Sequence, residues 1–343
     1  MAGAHWPIEV QLTGGPDSWG DRARALAATG VDGLFTFEGQ HDVFFPLVVA
    51  AATGCDVDLS TNVAIAFPRS PIHLAHAAWD LQRLTAGRFR LGLGSQVRAQ
   101  IERRYGAAFD PPVPRLRDHV LAVKEILAAW EEGRRPDHRG PYTTHTLMTP
   151  NFDPGPNPFG PPPILVGALG PRMTAMAAEV ADGVLVMPFN SARHLATRTV
   201  PAIERGLDRG GRDRTAIEVV GEVIVAVGRD DAEQQVADAG VRWLLAFYGS
   251  TPSYRPVLDA EGWGDLQPTL NVLSKQGEWP KMADLITDEM IGTIAVRGTP
   301  AACGREIVAR FGRLADRISF YLPFAHGDDL IAEVVAGIRA AAG

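Results

Sequence analysis

Short apolar runs and amphipathic segments take turns along almost the whole chain. The runs are IEVQL at 8–12, VDGLFTFE at 31–38, LSTNVAIAF at 59–67, RFRLGLGS at 88–95, PILVGALG at 163–170, DGVLVMP at 182–188, EVVGEVIVAVG at 218–228 and RISFYLPF at 317–324. Between them lie helix-type stretches such as DRARALAATG at 21–30 and PIHLAHAAWDLQRLTAG at 71–87, and further helices are expected from Pro171 and through about Arg209. Nearly continuous apolar strands are the kind that helices cover on the outside. Eight in series predict a closed α/β barrel, the (β/α)8 or TIM barrel, rather than an open doubly wound sheet. No G-x-G-x-x-G follows the first strand, which also argues against a dinucleotide fold. GTIAVRG at 292–298 is a ninth strand-like run, read instead as a lead into the final major helix because Thr299 suits an N-cap and Pro300 the first helical position.

A single barrel domain accounts for all 343 residues if it carries two insertions, at about 96–162 after strand four and about 246–291 after strand seven. The first holds a helix near 115–131, a hairpin in YTTHTLM at 142–148 and a stiff proline-rich stretch. Loops after strand C-termini lie over the catalytic face of such a barrel, so both insertions are placed to cover it.

Composition excludes more than it assigns. With 33 basic against 40 acidic residues the net charge is −7, so there is no broad basic field for nucleic acid and an anionic ligand must be met by local arginines. Cys55 and Cys303 are far apart, and CxxC and HExxH motifs are absent; they are expected to be reduced core thiols, with no metal site. MAGAHWPIEV lacks a basic segment followed by an apolar one, and no run of ~18 apolar residues occurs later, so no membrane partner and a cytoplasmic location are expected.

Four stretches interrupt the apolar pattern where a barrel does its chemistry. GLFTFEGQHD at 33–42 puts Glu38, His41 and Asp42 just past a strand C-terminus; either they are functional, or Asp42 caps a turn and His41 is merely solvated. In STNVAIAFPRSP, Asn62 breaks a strand, as at a bulge or a satisfied core amide. In RFRLGLGSQVR, Gly92 and Gly94 remove side chains where a backbone or a flat ligand approaches closely, or where barrel crowding must be relieved. In GALGPRMTAMAAEVADG, Gly170 and Pro171 open a helix whose free N–H groups, with Arg172 beside them, suit an anion.

Together these stretches resemble the luciferase-like monooxygenase superfamily, and within it the coenzyme F420-dependent oxidoreductases. LTAGRFRLGLGSQVRAQIERRYG is the most specific match, and DGLFTFEGQHDVFFPL, TNVAIAFPRSPI and FYGSTPSYRPVLDAEGWGDL extend it over most of the chain. The resemblance implies a barrel that holds a deazaflavin, or in relatives flavin mononucleotide (FMN), at the strand C-termini. It implies a non-prolyl cis peptide at Asn62–Val63 behind the ring, with Ala64 following. Gly94, Ser95, Arg98, Gly167, Ala168, Gly170, Pro171, Arg172 and Met173 then correspond to the walls and phosphate end of the cofactor site. Related dehydrogenases place Asp-His at the end of strand two, where this chain has Glu38-Gly39. Either Glu38 acts alone as the catalytic acid or base, or His41 reaches in with Asp42 orienting it. Burial beside an uncharged ring would raise the Glu38 carboxyl, and an arginine neighbour would lower it. A lysine of some relatives is replaced by Asn190.

The expected activity is F420-dependent hydride transfer to or from a small organic molecule, with Phe247, Tyr248, Tyr254 and Trp263 as pocket aromatics and a homodimer by analogy. The alternatives are an FMN-dependent monooxygenase and a non-catalytic cofactor-binding protein.

Overall fold

The computed structural model describes residues 6–343; the first five, part of the stretch read above for a leader, lie outside the described residues. All eight expected strands form: β1 Ile8–Gln11, β2 Gly33–Thr36, β3 Asp58–Thr61, β4 Phe89–Gly94, β5 Ile164–Ala168, β6 Gly183–Val186, β7 Glu218–Val227 and β8 Arg317–Tyr321. Each pairs in parallel with the next, β8 pairs with β1, and β6 closes on β7. The sheet is therefore a closed eight-stranded parallel barrel. Outward-facing Val10, Leu34, Leu59, Leu91 and Val166 are buried beneath the surrounding helices, and that burial drives closure.

Inward-facing residues form layers, and the lowest is ionic. Arg317, its side chain 4% exposed, reaches Glu9 at 3.1 Å, Asp58 at 2.9 Å and Glu218 at 3.0 Å. Arg90 joins the same carboxylates, at 2.9 Å from Asp58 and 3.1 Å from Glu218. Complete burial pushes the Glu9 carboxyl above its ordinary range, although Arg317 and Arg90 pull it down. Leu165, Leu185 and Val220 form the apolar layer above. No water-sized space separates the two layers, so the barrel is shut at its N-terminal end.

Several elements depart from the sequence reading. Val296–Gly298 is a short strand, parallel to Val225–Val227. It finds a free edge because β7 is ten residues long and outruns its barrel neighbours. The helix cue beside it also operates: the Thr299 hydroxyl accepts from the Ala302 N–H and the helix Pro300–Phe311 follows. That helix is not the last, since Asp328–Ala342 comes after β8. The hairpin of the first insertion pairs His138–Arg139 with Thr144–His145, so it begins before Tyr142. Asp118, from the helix Pro112–Glu132, anchors it through His138 Nε2 at 3.0 Å and Thr143 Oγ1 at 2.8 Å. Residues 246–249 belong to the helix Asp231–Gly249, so the second excursion starts later than expected and consists mainly of four short helices between Arg255 and Ile294.

Cys303 is buried and free, its thiol pushed up to about 12 by burial, whereas Cys55 is free but only half-buried. Among the described residues no helix is long and apolar enough to cross a membrane, and no group of His, Cys, Asp and Glu side chains could hold a metal ion.

Candidate active site

Beyond β2 the chain turns back over the barrel mouth. The Glu38 side chain is 7% exposed, and its carboxylate accepts from the Ile65 N–H at 2.8 Å, Arg69 Nη1 at 2.6 Å and the Tyr105 hydroxyl at 3.2 Å. Arg69 also donates to Ile65 O and pairs with Asp42 at 3.2 Å. Asp42 does not orient His41. Its other oxygen accepts from the N–H groups of Phe44 and Phe45, where the helix Phe45–Ala52 begins. His41 is exposed and meets the Trp19 ring edge-on, with centroids 5.5 Å apart. A side chain at Gly39 would strike the Phe37 ring, which is 52% exposed at the same rim.

β3 is interrupted after Thr61, and the Asn62–Val63 peptide is cis, as the resemblance implies. Asn62 is buried, and its Nδ2 has no hydrogen-bond partner. Ala64 rejoins the sheet beside Leu93. The neighbouring glycines answer to this bulge: a Cβ at Gly94 would stand 2.4 Å from Val63 Cγ2, and one at Gly167 3.0 Å from Val63 Cγ1. At Gly92 a Cβ would fall 1.9 Å from Thr61 O. The missing side chains therefore make room for the protein's own chain, and Val63 presents an apolar surface between β4 and β5.

Beyond Gly167 the strand ends at buried Ala168, and two residues on, Gly170 opens the helix Pro171–Val180 with nothing within 4 Å of where its Cβ would be. Pro171 and Arg172 are exposed and Met173 is half-buried. Arg172 also borders a cavity of about 310 Å³ with Arg117, Glu179 and Arg209. Ser95 donates to Gln96 O at 3.2 Å. Arg98 is exposed and already engaged, paired with Glu102 at 3.0 Å and with Asp110, and stacked over Phe109.

Of the four aromatics expected at the pocket, Tyr248 and Tyr254 reach the mouth region; the Tyr248 hydroxyl lies 3.1 Å from that of Tyr321. Phe247 is 43% exposed and stacks on Trp243, and Trp263 packs against the core beneath the second excursion. Asn190 is buried, with its carbonyl oxygen between the Ser191 N–H and His194 Nδ1. Burial holds His194 down to about 4.

The residue that the sequence reading passes over is Glu222, in the middle of β7. It is in register with Ser319 of β8 and lies one residue beyond the level where β6 ends. Tyr248, Tyr254 and Tyr321 all respond to its charge. Asn62 Nδ2 lies near enough to favour its carboxylate, although the contact is electrostatic rather than a formed hydrogen bond. Burial outweighs that help and pushes the Glu222 carboxyl up to about 8. Water reaches part of the residue through the mouth, yet protein surrounds the carboxyl closely enough for desolvation to dominate. The signal was present: period-two alternation puts Glu222 on the same inward face as Val220.

Residues 5–317 match the family described as luciferase-like monooxygenase. An uncharacterised protein of Mycobacterium tuberculosis is 46% identical over 298 residues, 87% of this chain and 88% of that protein. The 5,10-methylenetetrahydromethanopterin reductase of Archaeoglobus fulgidus is 29% identical over 264 residues, covering 76% of this chain and 75% of that one. Among solved structures, the coenzyme F420-dependent tetrahydromethanopterin reductase of Methanopyrus kandleri superposes with a TM-score of 0.79 at 20% identity, covering 97% and 96% of the two chains. A type II Baeyer–Villiger monooxygenase from Pseudomonas putida, solved with FMN, reaches 0.64 at 15% identity and covers 96% of each chain.

Proposed function

The chain belongs to the luciferase-like monooxygenase family, and on that premise we propose that it is an oxidoreductase that uses the deazaflavin coenzyme F420 to exchange hydride with a small, largely apolar organic molecule. The observation that carries this reading is the continuity of one path along β5. Gly167, against the Val63 surface, is three residues from Gly170, where the open N-terminus of a ten-residue helix begins. A flat apolar bed thus runs into a set of free N–H groups with Arg172 beside them. That pairing suits a planar ring that carries a phosphate tail. The unpartnered Nδ2 of Asn62 adds a donor at the ring end.

In this reading Asn62, Val63 and Ala64 back the ring, and Gly94, Ser95, Gly167 and Ala168 wall it. Gly170, Pro171, Arg172 and Met173 receive the phosphate. Arg98 acts indirectly by holding Asp110 and Glu102 in the first insertion. Glu38 fastens Arg69 and the Ile65 backbone just beyond the bulge, and His41 stands at the rim. When bound, the coenzyme supplies a two-electron hydride donor or acceptor, so the protein has to align substrate with ring and handle one proton. A relative from M. tuberculosis named as a putative coenzyme F420-dependent oxidoreductase, 28% identical over 297 residues, supports a deazaflavin over a flavin.

Titration of the purified protein with each cofactor tests the proposal. Tighter binding of coenzyme F420 than of FMN is expected, followed by consumption of the reduced coenzyme with at least one acceptor from a panel of enones, quinones and nitro compounds. Tighter binding of FMN would overturn the choice of cofactor. Good F420 binding with no consumption across the panel would favour a carrier.

A further inference from the structure

Two carboxyl groups stand at this mouth, and they differ in what they are free to do. Glu38 already accepts from a backbone amide, a guanidinium and a phenol, which leaves it little capacity to take or give a substrate proton. Glu222 makes no hydrogen bond to the described residues. Every group acting on it is an amide, an acid or a phenol: Asn62 from the bulge, Glu9 from the floor, Tyr321 from β8, and Tyr248 and Tyr254 from above. None is a cation. The Asn62 amide that neighbours it is the one whose peptide leads into the Val63 surface.

The geometry points to Glu222 as the acid–base group of this site, resting on the hydride-transfer reading above: it gives the substrate the proton that accompanies the hydride, and receives it in the oxidative direction. In reduction, one atom of an activated double bond gains a hydride, with both electrons, from the reduced coenzyme. The electron pair of the double bond moves to the other atom, which takes the proton from the Glu222 O–H. The carboxylate left behind regains a proton from water at the mouth. Burial supports the assignment, because a carboxyl pushed up to about 8 still carries its proton at neutral pH.

The test compares wild type with Glu222→Gln and Glu38→Gln. Infrared spectra of the protein without coenzyme should show a protonated carboxyl band that titrates near pH 8, is absent from Glu222→Gln and persists in Glu38→Gln. Single-turnover reduction of cyclohex-2-enone or menadione should fall roughly 10²–10⁴-fold in Glu222→Gln, with coenzyme affinity held within a few-fold. The wild-type rate should decline above the same pH. A carboxyl already ionised at pH 6, or a wild-type rate in Glu222→Gln, would overturn the assignment. If FMN proves to be the cofactor, that falsifies only the deazaflavin reading. The same rate comparison with reduced FMN then decides for Glu222, a loss supporting its role and no loss refuting it.

Discussion

Replacing Glu222 by glutamine should make the folded protein more stable in alkaline solution, by an amount that grows with pH. In the unfolded chain the carboxyl titrates near its ordinary 4.5, and in the barrel near 8. Between those values the folded state keeps a proton that the unfolded state has released, so rising pH favours unfolding. Below about pH 4.5 both states are protonated and nothing is lost; above about pH 8 both are ionised and the whole penalty is present. Each factor of ten in proton affinity is worth about 1.4 kcal/mol, so the full penalty is on the order of 5 kcal/mol, with roughly 3 already present at pH 7. Glutamine has nothing to ionise and escapes it. Urea unfolding of wild type and variant at pH 5, 7 and 9 gives the difference between them, in which every other titrating group cancels. The variant's advantage should widen by several kcal/mol between pH 5 and 9, mostly before pH 8. A difference that stays flat over this range would refute the account of Glu222 as a desolvated acid.

Arg317→Met leaves Glu9, Asp58 and Glu218 facing one another in the floor without their main partner. It should cost about 3–5 kcal/mol at pH 7 in urea unfolding, and a loss below about 1 kcal/mol would show the floor to be unimportant. Gly94→Ala would place a methyl group 2.4 Å from Val63 Cγ2 and should cost about 1–3 kcal/mol. Val63→Ala in the same chain should recover most of that, whereas additive losses in a double-mutant cycle would place the clash elsewhere.

The barrel was legible because its strands are buried on both faces, which writes the same apolar signature eight times. Val296–Gly298 was not, because a three-residue strand is decided by the spare edge of β7, and no local pattern records how long a distant strand will be. Asn62 announced itself by interrupting an apolar run. What surrounds Glu38 did not, since Arg69 lies 31 positions further on and only the return of the chain beyond the bulge brings them together. Gly92 and Gly94 were visible as missing side chains, but what fills the space, Thr61 and Val63, depends on how β3 breaks. Glu222 is a different case. Its inward direction followed from alternation with Glu218 and Val220, yet an acid in the middle of so apolar a strand is easily absorbed into the strand itself.

The ionic floor turns the barrel into a vessel with one opening. The gap between Glu9, Arg90, Leu165, Leu185 and Val220 has no room for water, so a molecule in the barrel has no passage through the floor there. Two molecules stacked in such a vessel cannot exchange independently. If coenzyme and substrate enter as proposed above, the deeper one should be first in and last out, and an ordered kinetic sequence is expected from the plug of Arg317 and Arg90. Product-inhibition patterns would read that order directly, and random-order patterns would mean that the deeper molecule has a side door.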